Sequence, residues 1–324
     1  MKKDKPWMNM PKVEVIEEHL AGFYRFVYER QMVWFRRFIK KEPPPWTKDK
    51  WLRDYKFTNV YRELDRGTIW LMKNVITKLK SWRTRQDEVH MLWNIVLYRL
   101  LNRVETFEKV GIPTPFSWKK SEGMVWRGEL RLLHETQSVF TNAHLTLPQN
   151  KAGASKLDKY FEVLDKFHRM LHFLYAKIKK AKSLEEVFVL LQEIPCVGPF
   201  ISYEVCIDLM YAKIIPFSED DWVNAGPGCR VGIRLIFPLR AERKEWVRAI
   251  KDLRRNQRKH FSRLGLDFKY FANRELTLRN IEHSLCEFGK YWKLSHGVGK
   301  NRMLFRPTST PAKLLPNGQI PLTF

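Results

Sequence analysis

Cysteine is scarce in this sequence. Cys196, Cys206, Cys229 and Cys286 are the only four in 324 residues, and none forms a C-x-x-C pair. That spacing indicates neither a disulfide framework nor a tetrahedral zinc site, and it suits a reducing cytosol. No apolar run approaches the roughly 18 residues that a membrane span needs, and the charged start MKKDKPWMNM leads into no apolar stretch. The expectation is a soluble, untargeted cytoplasmic chain. A P-loop is missing as well: Gly297-Val298-Gly299-Lys300-Asn301 has neither the spacing nor the hydroxyl of G-x-x-x-x-G-K-[ST]. Asp and Glu are scattered without ligand spacing, so neither a metal nor a cofactor is implied. Strand-type alternation is also rare.

What the chain has in excess is positive charge. Lys and Arg number 59 against 35 Asp and Glu, a formal +24, which points to a polyanionic partner, nucleic acid first. The plainer alternative is a cationic coat on a helical surface. Aromatic residues make up 14%, with twelve tryptophans, and several adjoin cations, as in Trp34-Phe35-Arg36-Arg37, Trp126-Arg127 and Tyr291-Trp292-Lys293. Such side chains stack on extruded bases or simply fill a core.

Helical periodicity dominates and predicts an all-α fold. Basic amphipathic helix is expected over Val13 to Lys40, ending at Glu42 and Pro43, Pro44, Pro45, with Thr47 capping a short helix. Further helices are expected over 68–81, 86–110, 156–182, 184–193, 205–213, 225–237, 243–264 and 276–294. The stretch 111–149 reads as irregular with one short helix. The expected organisation is a basic helical extension over 1–50, a catalytic helical domain over 51–294 and an extended basic tail over 295–324. The body is either one elongated domain or two lobes around a cleft.

The segment Leu190-Leu191-Gln192-Glu193-Ile194-Pro195-Cys196-Val197-Gly198-Pro199-Phe200-Ile201 has the pattern of a helix-hairpin-helix near 190–206. Its glycine permits close backbone approach, and N–H groups around Val197, Gly198 and Phe200 would face a DNA phosphate; a tight turn in a core has the same pattern. Asp220 follows in Ser218-Glu219-Asp220-Asp221, either as a catalytic acid or, with Asp221, as part of a helix cap. Gly226-Pro227-Gly228 with Arg230 and Gly232 makes an N–H-rich turn beside a cation, suited to a phosphate or pyrophosphate, or to nothing more than a tight connection. The hairpin and Asp220 together resemble helix-hairpin-helix DNA glycosylases, which extrude their target base.

Three more segments join these: Phe57-Thr58-Asn59-Val60-Tyr61-Arg62-Glu63-Leu64-Asp65-Arg66, Tyr98-Arg99-Leu100-Leu101-Asn102-Arg103 and Ile281-Glu282-His283-Ser284-Leu285-Cys286-Glu287-Phe288. In a helix, Asn59, Arg62 and Asp65 would share a face, as would His283 and Glu287; an Arg62–Asp65 brace and a packed His283 are the structural alternatives. In this order, from Phe57 to Tyr291, the motifs resemble the bacteriophage thymine-hypermodification family, the alpha-glutamyl/putrescinyl thymine pyrophosphorylases or amino acid:DNA transferases. Their helical domain is shared with 5-hydroxymethyluracil DNA kinases. The resemblance implies a transferase on double-stranded DNA containing phosphorylated 5-hydroxymethyluracil in the cytoplasm of an infected host. An amine, from an amino acid such as glycine or a polyamine, would displace phosphate or pyrophosphate, in functional coupling to such a kinase. Asp220, Asp65, Glu282 and His283 would then handle the proton, and Asn59, Arg62, Arg66, Arg99, Asn102, Gly226, Gly228 and Arg230 the base and phosphate. A glycosylase acting on a modified pyrimidine and a non-catalytic binder of modified DNA are the rival readings.

Overall fold

The computed structural model describes residues 15–77, 84–142, 146–147, 155–238, 243–298 and 303–305. The expected first residues up to 14 and the prolines of the tail, Pro307 to Pro321, lie outside the described residues, as do Gly299 and Lys300. Among the described residues the fold is all helical, and the one β-bridge pairs Tyr55 with Leu304. The chain divides into two compact units, residues 1–62 with 225–324, and residues 63–224.

The first unit holds α1 (Glu17–Trp34), prolonged by a π-helical turn over Phe35–Ile39, then α2 (Lys50–Asp54), α10 (Pro227–Ile236), α11 (Arg243–Arg263) and α12 (Leu278–Ser295). Asp49, not Thr47, caps α2, accepting from the N–H groups of Trp51 and Leu52. The helices α10 and α12 lie unusually close because glycines line their seam. A Cβ on Gly228 would sit 2.3 Å from Cys286 Sγ, and one on Gly232 would sit 2.2 Å from the Leu285 carbonyl oxygen. Phe23, Tyr24, Phe26 and Val27 of α1 are buried with Ile281, Leu285 and Phe288 of α12 and with Leu253 and Phe261 of α11. Residues 303–305 run beside residues 54–56, with hydrogen bonds from Lys56 N to Met303 O and from Phe305 N to Asp54 O.

The second unit contains α3 (Arg66–Leu71, with a π-helical turn over Met72–Ile76), α4 (Arg85–Leu101), α5 (Val104–Val110), α6 (Ser121–Thr136), α7 (Lys156–Lys180), α8 (Leu184–Leu191) and α9 (Pro199–Tyr211). The expected single helix over 86–110 is two, because Asn102 adopts the left-handed conformation at φ 49°, ψ 41° and stops α4 there. The expected short helix within 111–149 is the sixteen-residue α6. Its solvent face carries Met124, Val125 and Leu132, which blurs the apolar periodicity. Trp93 and Trp118, both fully buried, anchor the core, with Phe167 stacked on Trp93 at 5.5 Å. Trp34 and Trp126, candidates for stacking on bases, are buried in the cores of their own units.

Candidate functional site

In the second unit three candidate residues, Arg66, Arg99 and Asn102, lie at or beside the junction of α4 and α5. Arg99 grips Asp208 of α9 through two hydrogen bonds, Nε to Oδ2 at 2.5 Å and Nη2 to Oδ1 at 2.9 Å. Its Nη1 donates to Asn102 Oδ1 at 3.0 Å and lies 4.0 Å from Glu204 Oε2. Arg99 and Asp208 are both buried, so this guanidinium is committed to its neighbours rather than offered to a ligand phosphate. Arg99 and Asn102 thus position Glu204 and the α4–α5 corner. Glu204 and Asp208, four apart on the second hairpin helix, were absent from the sequence-derived site; their i, i+4 spacing was the available signal.

Beside them, Arg66 forms an ion pair with Glu105 at 2.5 Å, and Arg103 approaches the same carboxylate at 3.8 Å. Burial works against the charge on Glu105, but its own backbone hydrogen bond and Arg66 prevail and hold this carboxyl below its ordinary range. Tyr98 donates to the Gly67 carbonyl, and Trp70 stacks on the Tyr98 ring at 5.2 Å.

The hairpin joins α8 to α9 through residues 192–198. Gly198 is the N-cap, with ordinary backbone at φ −86°; the left-handed residue in the turn is Cys196, at φ 62°. A Cβ on Gly198 would meet nothing within 4 Å, so no contact inside the fold demands glycine there. Gly198 and Phe200 are exposed, whereas Val197 is buried and its N–H donates to the Ile194 carbonyl, which removes it from the donors available to a phosphate. The Asp220 loop packs on the hairpin helices: Trp222 lies 4.8 Å from Phe188 and 5.7 Å from Tyr203, and Tyr211 donates to the buried Glu219. Asp221 accepts from the N–H and hydroxyl of Ser218, closing a turn in which Asp220 stands half-buried.

In the first unit, Asn59 and its neighbours do not form the expected helical face. Residues 56–59 are non-helical, a 3₁₀ turn spans Arg62–Leu64, and Asp65 is the N-cap of α3. The segment is clamped instead. Arg30 donates to the carbonyls of Phe57 and Thr58 and to Asn59 Oδ1, and Glu287 accepts from Thr58 N. Arg30 was not among the expected site residues, being one cation among many on a basic helix. Arg62 is fully buried.

Gly226 caps α10, and a Cβ there would lie 3.7 Å from Glu282 Oε1. Glu282 is itself paired with Arg279 at 2.5 Å, both buried. The end of α10 therefore already faces a carboxylate, and Gly228 serves the seam with α12. Arg230 donates to the Ala225 carbonyl and lies 4.1 Å over the Trp246 ring. Burial, then the Glu282 carboxylate, drives the Cys229 thiol well above its usual range, so it is an unreactive packing group. His283 stands half-buried on α12.

A family described as the helical domain of 5-hmdU DNA kinases matches residues 17–301. The chain belongs to that family. Membership extends beyond the expected Phe57 to Tyr291 and takes in α1, which packs within the first unit. A 5-hmdU DNA kinase of Bacillus phage SP10 is 30% identical over 282 residues, covering 82% of this chain and 43% of the phage protein. The chain thus spans less than half the length of this 5-hmdU DNA kinase relative. No solved structure matches. No described helix is long and apolar enough to cross a membrane.

Proposed function

We propose that this chain is a transferase that replaces the phosphate or pyrophosphate on activated 5-hydroxymethyluracil in DNA with an amine, yielding a hypermodified thymine. The observation that carries this reading is that residues 17–301 match the family of 5-hmdU DNA kinase helical domains, while the 324 residues contain no G-x-x-x-x-G-K-[ST] loop. In the proposed step a C–N bond forms at the 5-methylene carbon. The C–O bond to the phosphate breaks with its electron pair leaving on oxygen, and the amine proton passes to a carboxylate or imidazole.

The candidates for that proton are Asp220, Asp65 and His283; Arg66 and Arg230, with Asn59, are the proposed base and phosphate contacts. Extruding the base would cost a few kcal/mol of unstacking. Arg99 and Asn102 act through Glu204 and Asp208 rather than on the phosphate.

A second reading rests on the same family match: the chain is the DNA-handling half of a 5-hmdU DNA kinase. The two separate in one experiment. Given DNA carrying phosphorylated 5-hydroxymethyluracil and a panel of amines, a transferase yields an amine-bearing nucleoside on digestion and mass spectrometry. The DNA-handling half of a kinase binds both the phosphorylated and the unphosphorylated 5-hydroxymethyluracil DNA and leaves the nucleosides of each unchanged. Abasic sites in either mixture would favour a glycosylase.

A further inference from the structure

The net charge is unevenly placed. The first unit holds 36 of the 59 Lys and Arg and 15 of the 35 Asp and Glu, so it carries +21 of the +24. The hairpin region is the opposite: residues 183–224 contain one lysine, Lys213, against eight acidic residues. A duplex presents one negative charge per about 1.7 Å of axis, and its affinity for protein comes chiefly from cations that displace counterions. The hairpin supplies almost none.

Within the first unit, α11 has nine Lys and Arg against Glu245 and Asp252. Lys244, Arg248, Lys251, Arg255, Arg258 and Lys259 recur three and four apart, so they share one face. Trp246, Ala249, Ile250, Leu253 and Phe261 form the opposite, buried face. Lys244, Lys251 and Lys259 are exposed, and no carboxylate among the described residues pairs with them. Arg258 pairs with Glu275, and Arg255 lies 3.9 Å from Asp252. The platform is fixed: Gln257 exchanges hydrogen bonds with the backbone of Leu276, and Tyr24 donates to the Leu253 carbonyl.

We infer that the outer face of α11, rather than the hairpin, is the surface that grips the phosphate backbone of duplex DNA; this rests on the reading of the chain as one that acts on DNA. From Lys244 to Lys259 the row is about 22 Å long, nearly two-thirds of a B-DNA turn of about 34 Å, so it spans several successive phosphates. A lipid surface fits less well, because a membrane-bound basic helix needs its apolar face free, and the apolar face of α11 is consumed by the core.

The test is the salt dependence of binding to an unmodified duplex of about 25 base pairs, followed by fluorescence anisotropy. The wild type is compared with K244Q/K251Q/K259Q and with a control of equal charge loss in the second unit, K120Q/K180Q/K182Q. Each phosphate contact contributes about 0.9 to the slope of log K against log salt. The α11 variant should lose about 3 from that slope while keeping the wild-type thermal unfolding, and the control should lose none. Equal slopes for the α11 variant and the wild type would overturn the assignment even if the transferase reaction persists. Tighter binding to anionic vesicles or to single strands than to the duplex would overturn it as well. A wild-type protein that fails to bind any duplex at about 50 mM salt would remove the underlying reading too.

Discussion

Arg99 shows how a residue chosen for one role serves another. A buried guanidinium held by two hydrogen bonds to Asp208 stands or falls with that partner, since removing one member strands a charge in the interior. Asp208→Ala should therefore lower stability by about 3 to 5 kcal/mol in denaturant titration; a loss below about 1 kcal/mol would show the pair to be solvated. Asp165 gives a pH signature. Its burial raises the carboxyl, but hydrogen bonds from Arg127, Lys119 and Trp118 outweigh that and hold it at about 2. A depressed carboxyl contributes stability that is complete above the unfolded value of about 3.9 and is lost as pH falls toward about 2. Asp165→Asn should remove that part of the acid dependence, read as a shallower loss of stability between about pH 4 and pH 2 than in the wild type. Because the side chain remains 26% exposed to solvent, which screens the pairs, the effect is expected to be modest.

At the level of elements, the α10–α12 seam depends on glycine in a way that admits no slack. Gly232 meets the Leu285 backbone, which cannot rotate away, unlike the Cys286 side chain facing Gly228. Gly232→Ala should cost about 1 to 3 kcal/mol by forcing the helices apart, measured by thermal or chemical unfolding; an unchanged midpoint would contradict the packing described. Helices with an unbroken apolar stripe, such as α7 at Lys156–Lys180, were legible in the sequence nearly to the residue. The break at Asn102 was not, because a single left-handed residue leaves little trace in periodicity. The non-helical course of residues 56–59 was hidden for another reason: the clamp is formed by Arg30 and Glu287, both remote in sequence. Likewise Arg99 was named from its motif, but its partner Asp208 lies 109 residues away, and only the fold says which way the guanidinium turns.

Across the whole molecule, the excess charge was legible at once, and its placement followed only when the two units were separated. The near-neutral unit of residues 63–224 holds the hairpin, the Asp220 loop and the buried Arg99–Asp208 pair; the basic unit holds α10, α11 and α12. On the proposed reading the basic unit grips the backbone and Asp220 of the other unit takes the amine proton. Asp220→Ala is expected to abolish amine transfer while leaving duplex affinity and its salt slope unchanged, the two being assayed on the same preparation. The most direct measurement is mass spectrometry of nucleosides from DNA that carries phosphorylated 5-hydroxymethyluracil, after incubation with the protein and a mixture of amino acids and polyamines. The account predicts a new nucleoside heavier than thymidine by the amine less two hydrogens, with loss of the phosphorylated species. An unchanged nucleoside profile from protein that binds the same DNA would contradict it.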